Sequence, residues 1–188
     1  MSLPYTRSAR KTGADEYYTM PVGTSAATAL TTGRQYFVPV RIDSVCGIKK
    51  LGVEPTATAA TAIGRVSVYK DAGLAYPRPG ELIKETAATI DLSAAGFIEG
   101  TFTSNASITK PGIYWLSLVN QTAAATVRTS SLVENGGVAL QFGTTKPAAA
   151  SVIGSLYLAS ITGAVADVSV SATLVPSAFS PWFYYVID

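Results

Sequence analysis

The sequence predicts an all-β protein, a jelly-roll-like two-sheet sandwich with an extended N-terminal arm. Short runs rich in β-branched and aromatic residues alternate with glycine and proline at a spacing of roughly ten residues, which is typical of sandwiches and barrels. Apolar residues make up 48% of the chain and charged residues only 14%, against about 25% charged in an average domain. No amphipathic helical stripe is present, although residues 25–32 and 147–152 could each hold a helical turn or two.

The chain divides into an arm, residues 1–33, and a sandwich domain, residues 34–188. The arm has charged residues followed by a stretch rich in Ser, Ala, Thr and Gly, without sustained periodicity. Such a segment is either disordered or lies on another subunit. Tyr17 and Tyr18 supply apolar anchors, which favours an ordered arm.

The strand runs can be placed one by one from their alternation and from the turns between them. Residues 113–119 are apolar on both faces and predict a central strand that is buried on both sides. Residues 71–80 hold two glycines and two prolines and predict a loop. Alternation over residues 165–175 places Val168 and Val170 on one face. The predicted strands are residues 35–42, 45–53, 65–69, 81–90, 97–103, 113–119, 127–132, 137–142, 156–161, 165–175 and 182–187.

The residue types present argue against an enzyme. The chain contains no histidine and a single cysteine, Cys46, which removes the common activated nucleophiles and the usual zinc ligands. We predict no catalytic residue, no metal and no cofactor, and we take Cys46 as a small hydrophobic residue of the core. A pair of carboxylates for glycoside hydrolysis is the enzymatic alternative that the acidic residues leave open.

Charge and hydropathy also limit the partners. A net charge of +2 is too small to indicate nucleic acid or an anionic membrane. No run approaches the roughly 20 apolar residues of a membrane span, and the N-terminus lacks a secretory pattern. We therefore expect synthesis in a cytoplasm, without a membrane or nucleic-acid partner.

Two loops combine the groups that bind saccharides. Tyr76 lies between Asp71 and Arg78, and a ring beside hydrogen-bonding groups can stack on a sugar while its neighbours bind the hydroxyls. Asn120 and Gln121, after the central strand, form a second candidate. The competing interpretation is that Tyr76 closes the end of the sandwich as a packing residue.

Two further sets of aromatic residues exceed what one sandwich needs. Tyr17 and Tyr18 belong to the arm, and the C-terminal run contains Trp182, Phe183, Tyr184 and Tyr185. We predict that both sets contact neighbouring subunits in a homo-oligomer.

Several segments resemble a domain of tailed-bacteriophage tail, fibre and head-surface proteins. The most specific is Pro111-Gly112-Ile113-Tyr114-Trp115-Leu116, which is similar to the family's Pro-Gly-x-Tyr-Trp-Leu. The other segments are residues 36–40, 48–53, 64–69 and 76–83, all within the stretch 36–118.

The resemblance implies a β-sandwich displayed on a virion, often as an oligomer, with a homotrimer as the expected state, and sometimes in contact with host-surface glycan. The sequence thus predicts a non-catalytic virion structural protein of the tail, fibre or head decoration, assembled with other virion proteins in the host cytoplasm. The alternative is a host-cell adhesion module that binds surface saccharides. A secreted bacterial carbohydrate-binding module is a third interpretation. The structural interpretation is preferred because the strongest features of the sequence serve packing.

Overall fold

The computed structural model describes residues 17–19, 24–74, 77–131, 155–177 and 179–188. Within these ranges every regular element is a β-strand, which confirms the all-β prediction. None of the described residues forms a helix long and apolar enough to cross a membrane. The strands are β1 (Tyr17–Thr19), β2 (Thr24–Ala29), β3 (Arg34–Ile42), β4 (Cys46–Val53), β5 (Ile63–Asp71), β6 (Pro79–Glu85), β7 (Ile90–Asp91), β8 (Ile98–Ile108), β9 (Gly112–Asn120), β10 (Thr126–Ser131), β11 (Ser155–Leu158), β12 (Val175–Ser177), β13 (Phe179–Pro181) and β14 (Tyr184–Ile187).

The largest sheet has seven strands in the order β12-β11-β3-β9-β5-β6, with β7 also paired to β5. Its central strand is β9, which pairs antiparallel with β3 over nine residues and with β5 on the other side. Because β9 has a neighbour on each side and apolar side chains on each face, it is the predicted doubly buried strand. That prediction is confirmed, since Trp115, Leu116 and Leu118 are all inaccessible to solvent.

Two smaller sheets pack against one face of the large sheet, called the inner face here. One has the order β1-β14-β4-β8 and the other the order β13-β10-β2. The two layers enclose the main core, so the arrangement is sandwich-like; the jelly-roll strand order stays a prediction. From the large sheet this core takes Tyr36, Val38, Val40, Ile42, Val66, Val68, Tyr114, Leu116 and Leu118, and from the opposing layer Ile48, Leu51, Val53, Phe102, Ala106, Ile108, Val127, Tyr185 and Ile187.

One glycine marks a close approach of the two layers. A side chain added at Gly100 in β8 would lie 2.5 Å from the Thr86 methyl group and 2.7 Å from a methyl group of Val66 in the large sheet. Only glycine lets β8 pass this near. The close contact holds the edge of the four-stranded sheet against the large sheet.

The outer face of the large sheet is also apolar and carries a second core. Phe37, Tyr69, Trp115 and Val119 project from it. They are covered by residues 159–174, the irregular stretch between β11 and β12, which we call the covering segment. Val165 and Val168 of this segment are buried against the outer face.

The strand predictions for 35–42, 45–53, 65–69 and 113–119 are confirmed to within two residues at each end. The predicted strand 165–175 is wrong, because these residues form most of the covering segment. Val168 is only 5% exposed whereas Val170 is 63% exposed, so the two do not share a face. The helical turn allowed at residues 25–32 is also wrong, since β2 occupies residues 24–29. The predicted strand 137–142 and the helical turn at 147–152 lie outside the described residues.

The predicted arm, residues 1–33, contributes two strands to the fold. β1 pairs with β14 at one edge of the four-stranded sheet, and β2 pairs with β10. Leu30, just after β2, is buried in the main core. Residues 24–33 are therefore integral to the sandwich.

We expect Trp115→Ala to lower the free energy of unfolding by about 3 to 5 kcal/mol, the usual cost of truncating a core aromatic residue. The indole is fully buried and its Nε1 donates to Asp71 Oδ1 at 3.0 Å. Urea unfolding followed by circular dichroism measures the change. Trp182→Ala is the matched control, because Trp182 is only half-buried. A loss below about 1 kcal/mol at Trp115 contradicts the central-strand assignment.

Candidate functional site

The two predicted saccharide loops lie at opposite ends of the large sheet. β5 begins near Asn120, which pairs with Gly64, and ends at Asp71. Asp71 lies seven residue steps along the strand from Gly64, a distance of about 23 Å. The structure therefore brings Asp71 and Arg78 together but keeps them apart from Asn120 and Gln121. Tyr76, the aromatic centre of the first loop, lies outside the described residues.

Asp71 is occupied by hydrogen bonds from its own chain. Its Oδ1 accepts from the Trp115 indole at 3.0 Å and from the Arg78 main-chain N–H at 2.9 Å, and its Oδ2 accepts from the Gly73 N–H at 3.1 Å. Each bond ties the loop to itself or to the central strand. The carboxylate therefore orders the start of the loop and anchors it to the buried indole.

Arg78 holds the covering segment. Its Nη1 donates to the carbonyl of Val170 at 2.8 Å, and its Nη2 donates to the carbonyls of Ser169 and Ala172, each at 3.0 Å. A planar guanidinium with several donors suits a cluster of carbonyls that have no strand partner. The side chain predicted to bind sugar hydroxyls thus binds main-chain carbonyl oxygens.

Asn120 does not lie in a loop, and that prediction is wrong. It is the last residue of β9, fully buried, and it pairs with both Arg34 and Gly64. Its Nδ2 donates to the Leu30 carbonyl at 3.5 Å, while its Oδ1 has no hydrogen-bond partner within the described part of the chain. The strand extends one residue further than its apolar run because strands on both sides continue to pair with it. A buried amide of this kind presents no surface to a saccharide.

Gln121 forms a hydrogen bond with the N-terminal part of the covering segment. Its Nε2 donates to the Gly163 carbonyl at 2.7 Å, and the Ile161 N–H donates to the Gly33 carbonyl at 2.9 Å close by. Gln121 and Arg78 therefore hold the same segment from opposite ends of the sheet. Sequence reasoning selected both residues for ligand binding, and the structure uses both internally.

Four further hydrogen bonds join the large sheet to the covering segment between these two ends, and the sequence analysis predicted none of them. Asp167 Oδ1 accepts from the Leu82 N–H at 2.7 Å, and the Val168 N–H donates to the Gly80 carbonyl at 2.8 Å. Glu85 Oε1 accepts from the Val165 N–H at 2.9 Å. The hydroxyl of Tyr69 donates to the Ala166 carbonyl at 3.1 Å.

A polar network lies on the outer face beneath the covering segment. Gln35 Nε2 donates to the Tyr69 hydroxyl and to Ser117 Oγ, both at 2.9 Å, and Ser117 Oγ lies 2.5 Å from Ser67 Oγ. All four side chains are buried. Burial disfavours the phenolate and raises the pKa of Tyr69 to about 12, although hydrogen bonds from Gln35 and Ser67 oppose the shift.

An open groove of about 400 Å³ lies between residues 70–72, 80 and 81 of the large sheet and residues 167–170 of the covering segment. Its charged side chains include Lys70, Glu81 and Asp167. Lys70 Nζ and Glu81 Oε2 form an ion pair at 2.7 Å, and Asp167 is held by the Leu82 N–H. The groove also presents Ser169 and the exposed Val170, so hydrogen-bonding and apolar surface meet there.

The C-terminal aromatic residues pack mainly within the chain. Phe183 and Tyr185 are buried in the main core, so the prediction that they contact neighbouring subunits is wrong. Trp182 and Tyr184 are half-buried; Trp182 Nε1 donates to Ser130 Oγ, and the Tyr184 ring meets Phe97 edge to face with ring centres 5.0 Å apart. Tyr17 and Tyr18 lie in β1, opposite Val186 and Tyr185 of β14.

Tyr184 also joins the ion pair of Glu54 and Arg128. Glu54 Oε1 accepts from Arg128 Nη2 at 2.7 Å, and its Oε2 accepts from the Tyr184 hydroxyl at 3.2 Å. The hydrogen bond from the guanidinium lowers the pKa of Glu54. This contact links the C-terminal strand to the turn that follows β4.

The described residues contain no group of three or more His, Cys, Asp or Glu side chains placed to hold a metal ion. Cys46 is half-buried and packs against the main core, as a small hydrophobic residue would.

No protein-family model matches the chain. Among curated proteins, no significant relative is found.

We expect Arg78→Ala to lower the free energy of unfolding by about 1.5 to 3 kcal/mol, the range for hydrogen bonds that involve a charged group. Arg78→Lys should lose most of the same amount, because one ammonium cannot reproduce the planar fork. Hydrogen exchange should also quicken in residues 161–172 while β9 stays protected. Arg41→Ala is the control, since Arg41 is half-exposed and forms a surface ion pair with Asp43; its change should stay within about 0.5 kcal/mol. Equal effects at the two arginines would contradict the role given to Arg78.

Stability should also fall as the pH rises from 10 to 12. Tyr69 has an ordinary pKa of 10.0 in the unfolded chain and about 12 in the fold. Between these values the unfolded state has released a proton that the folded state retains, so rising pH favours unfolding. The difference corresponds to about 2 to 3 kcal/mol. Urea unfolding across this range should show a smaller decline for Tyr69→Phe than for the wild type, and parallel profiles would refute the assignment.

Proposed function

We propose that the chain is a non-catalytic structural protein of a tailed-bacteriophage virion, displayed on the tail, the fibre or the head surface. The proposal rests on one observation. The polar side chains that a binding loop would need for a ligand form hydrogen bonds within their own chain. Asp71, Arg78 and Gln121 all hold parts of their own chain. Polar groups committed in this way contribute to stability and have little capacity left for a ligand.

The resemblance of residues 36–118 to phage surface proteins adds the virion setting to this proposal. The resembling segments correspond to β3, β4, β5, the loop into β6, and β9. The most specific of them, around Tyr114 and Trp115, forms the doubly buried centre of the large sheet. The likeness therefore rests on the part of the chain that determines the fold.

The proposed setting implies self-assembly and contact with other virion proteins. The outward side of β1 is a candidate contact, because this short strand extends the four-stranded sheet by only three residue pairs. Trp182 and Tyr184 are half-buried and lie near the same sheet, so they remain available as partial contacts.

The groove beside Lys70 favours a second function, adhesion to a host-surface saccharide. It offers an ammonium group, carboxylates, the hydroxyl of Ser169 and the apolar side chain of Val170. Saccharide sites combine such hydrogen-bonding groups with apolar surface. Affinity at a single groove of this open kind should be weak, so adhesion would need several copies acting together.

Mutant virions separate the two functions. Val170→Asp alters the groove, and Tyr76→Ala removes the aromatic side chain of the first predicted saccharide loop; these are called the groove variants. The side chain of Val170 makes none of the hydrogen bonds that hold the covering segment, since Arg78 binds its main-chain carbonyl. Ala95→Asp is the control, an exposed position in the turn after β7, at the opposite end of β5. Deletion of residues 1–23 removes β1 and keeps β2. For each virion, adsorption to host cells and the content of this protein per particle are measured.

The structural proposal expects wild-type adsorption for all three point variants and a loss of protein from the particle after the deletion. Adsorption reduced by the groove variants but not by Ala95→Asp, at unchanged protein content, would establish adhesion in its place. Absence of the chain from purified virions, tested by immunogold labelling, would refute the virion assignment altogether.

A further inference from the structure

The edges of the three sheets differ in how they are protected against further pairing. Proteins usually protect an exposed edge with proline, charge, bulges or short strands. In β8, five residue steps from Ala106 to Thr101 oppose only two steps of β4, so this edge is strongly bulged. β6 begins at Pro79, shifts register twice against β5, and has its Leu82 N–H bound by Asp167. β1, β12 and β13 have three residues each.

β2 is an edge strand that lacks these protections. Its six residues, Thr24–Ala29, pair with β10 in an unbroken register, and none of them is charged or a proline. No other described strand pairs with its outer side. A flat, uncharged edge of this length is the kind of edge to which another strand can add.

The main-chain groups on the outer side of β2 can be assigned from the alternation of the ladder. The Leu30 N–H donates to the Ala125 carbonyl, so residue 30 faces β10. Main-chain groups alternate in direction along a strand, so Thr28 and Ala26 also face β10 while Ala29, Ala27 and Ser25 face outward. The hydroxyl of Thr129 in β10 donates to the Ala26 carbonyl, in agreement with this assignment. All three outward residues are exposed.

We propose that the outer edge of β2 pairs antiparallel with β2 of a second copy of this chain. The two three-stranded sheets then become one six-stranded sheet across a two-fold axis. Identical strands pair well only if like charges do not meet, and β2 contains only Thr, Ser and Ala. Its side chains are also small enough for close approach along the whole strand.

The two-fold contact has a consequence for particle composition. An antiparallel pair of identical strands uses the same patch on both copies, so it is complete with two chains. An assembly that contains this contact in every subunit has an even number of copies. A trimer, as the phage resemblance implies, would satisfy the contact only if two trimers joined through it.

Sedimentation of the purified chain tests the proposal without any virion. Ala27→Pro removes the central outward N–H and leaves the ladder to β10 in place, a position where an edge strand tolerates proline. Ala27→Lys places a charge at the same edge and serves if the proline variant fails to fold. Ala95→Lys is the control, the same charge at an exposed alanine in a turn. Circular dichroism and urea unfolding verify that each variant is folded.

We expect the wild type and Ala95→Lys to pass from one copy to an even number of copies as concentration rises from about 1 to 100 µM, the range suited to a small interface. Ala27→Pro and Ala27→Lys should weaken this association at least tenfold. A wild type that stays monomeric at the highest concentration, or edge variants that associate as the wild type does, would overturn the proposal.

Hydrogen exchange identifies any other occupant of the edge. With pairing between copies, the amides of Ser25, Ala27 and Ala29 exchange slowly at high concentration and quickly on dilution, while that of Ala26 is protected at both. If a segment of the same chain occupied the edge, the outward amides would be protected at every concentration. That result would refute pairing between two copies.

Discussion

The fold depends on a seven-stranded sheet that is apolar on both faces. A sheet of this kind must be covered twice, because each face would otherwise leave large side chains in water. The inner face packs against two smaller sheets and forms the main core. The outer face, with Phe37, Tyr69 and Trp115, receives no regular element among the described residues and is covered by residues 159–174. The position of this irregular segment therefore decides whether the second core exists at all.

An irregular segment over an apolar face leaves main-chain groups that need hydrogen-bond partners. Here much of the need is met by side chains of the large sheet and its loops. Arg78 binds three carbonyls at one end, Gln121 binds one at the other, and Glu85 accepts an N–H between them. The arrangement explains why the outer face can carry Gln35 and Tyr69 among its apolar residues. A fixed cover gives these buried polar groups constant partners, whereas water would compete for them.

The sequence was informative wherever alternation coincided with strand pairing. The run around Trp115 revealed the central strand because a strand that is apolar on both faces has to be covered on both sides. Alternation predicted a strand correctly at residues 65–69, but it failed at residues 165–175, which also alternate. Periodicity indicates which side chains can be buried on the same face. It does not indicate whether the backbone of that segment pairs with a neighbouring strand. The polar residues Asp71, Arg78 and Gln121 were selected as saccharide-binding groups of two loops, and the structure shows them in hydrogen bonds within the chain. The partners of Arg78 and Gln121 are main-chain carbonyls, about 90 positions away in the case of Arg78, and no local pattern indicates a contact at that separation.

The same distinction between side-chain pattern and backbone pairing bears on assembly. Aromatic side chains suggested an interface at the C-terminus, yet Phe183 and Tyr185 pack into the main core. The small residues of β2 gave no such signal, because Thr, Ser and Ala bury little surface and suggest no contact by type. What an edge strand offers is its row of main-chain donors and acceptors, and small neutral side chains expose that row most fully. For a chain with few charges, strand addition at such an edge provides an oriented contact that needs no large apolar patch. A structural subunit of a particle requires contacts of that directional kind, in which geometry selects the partner and hydrophobic area contributes little.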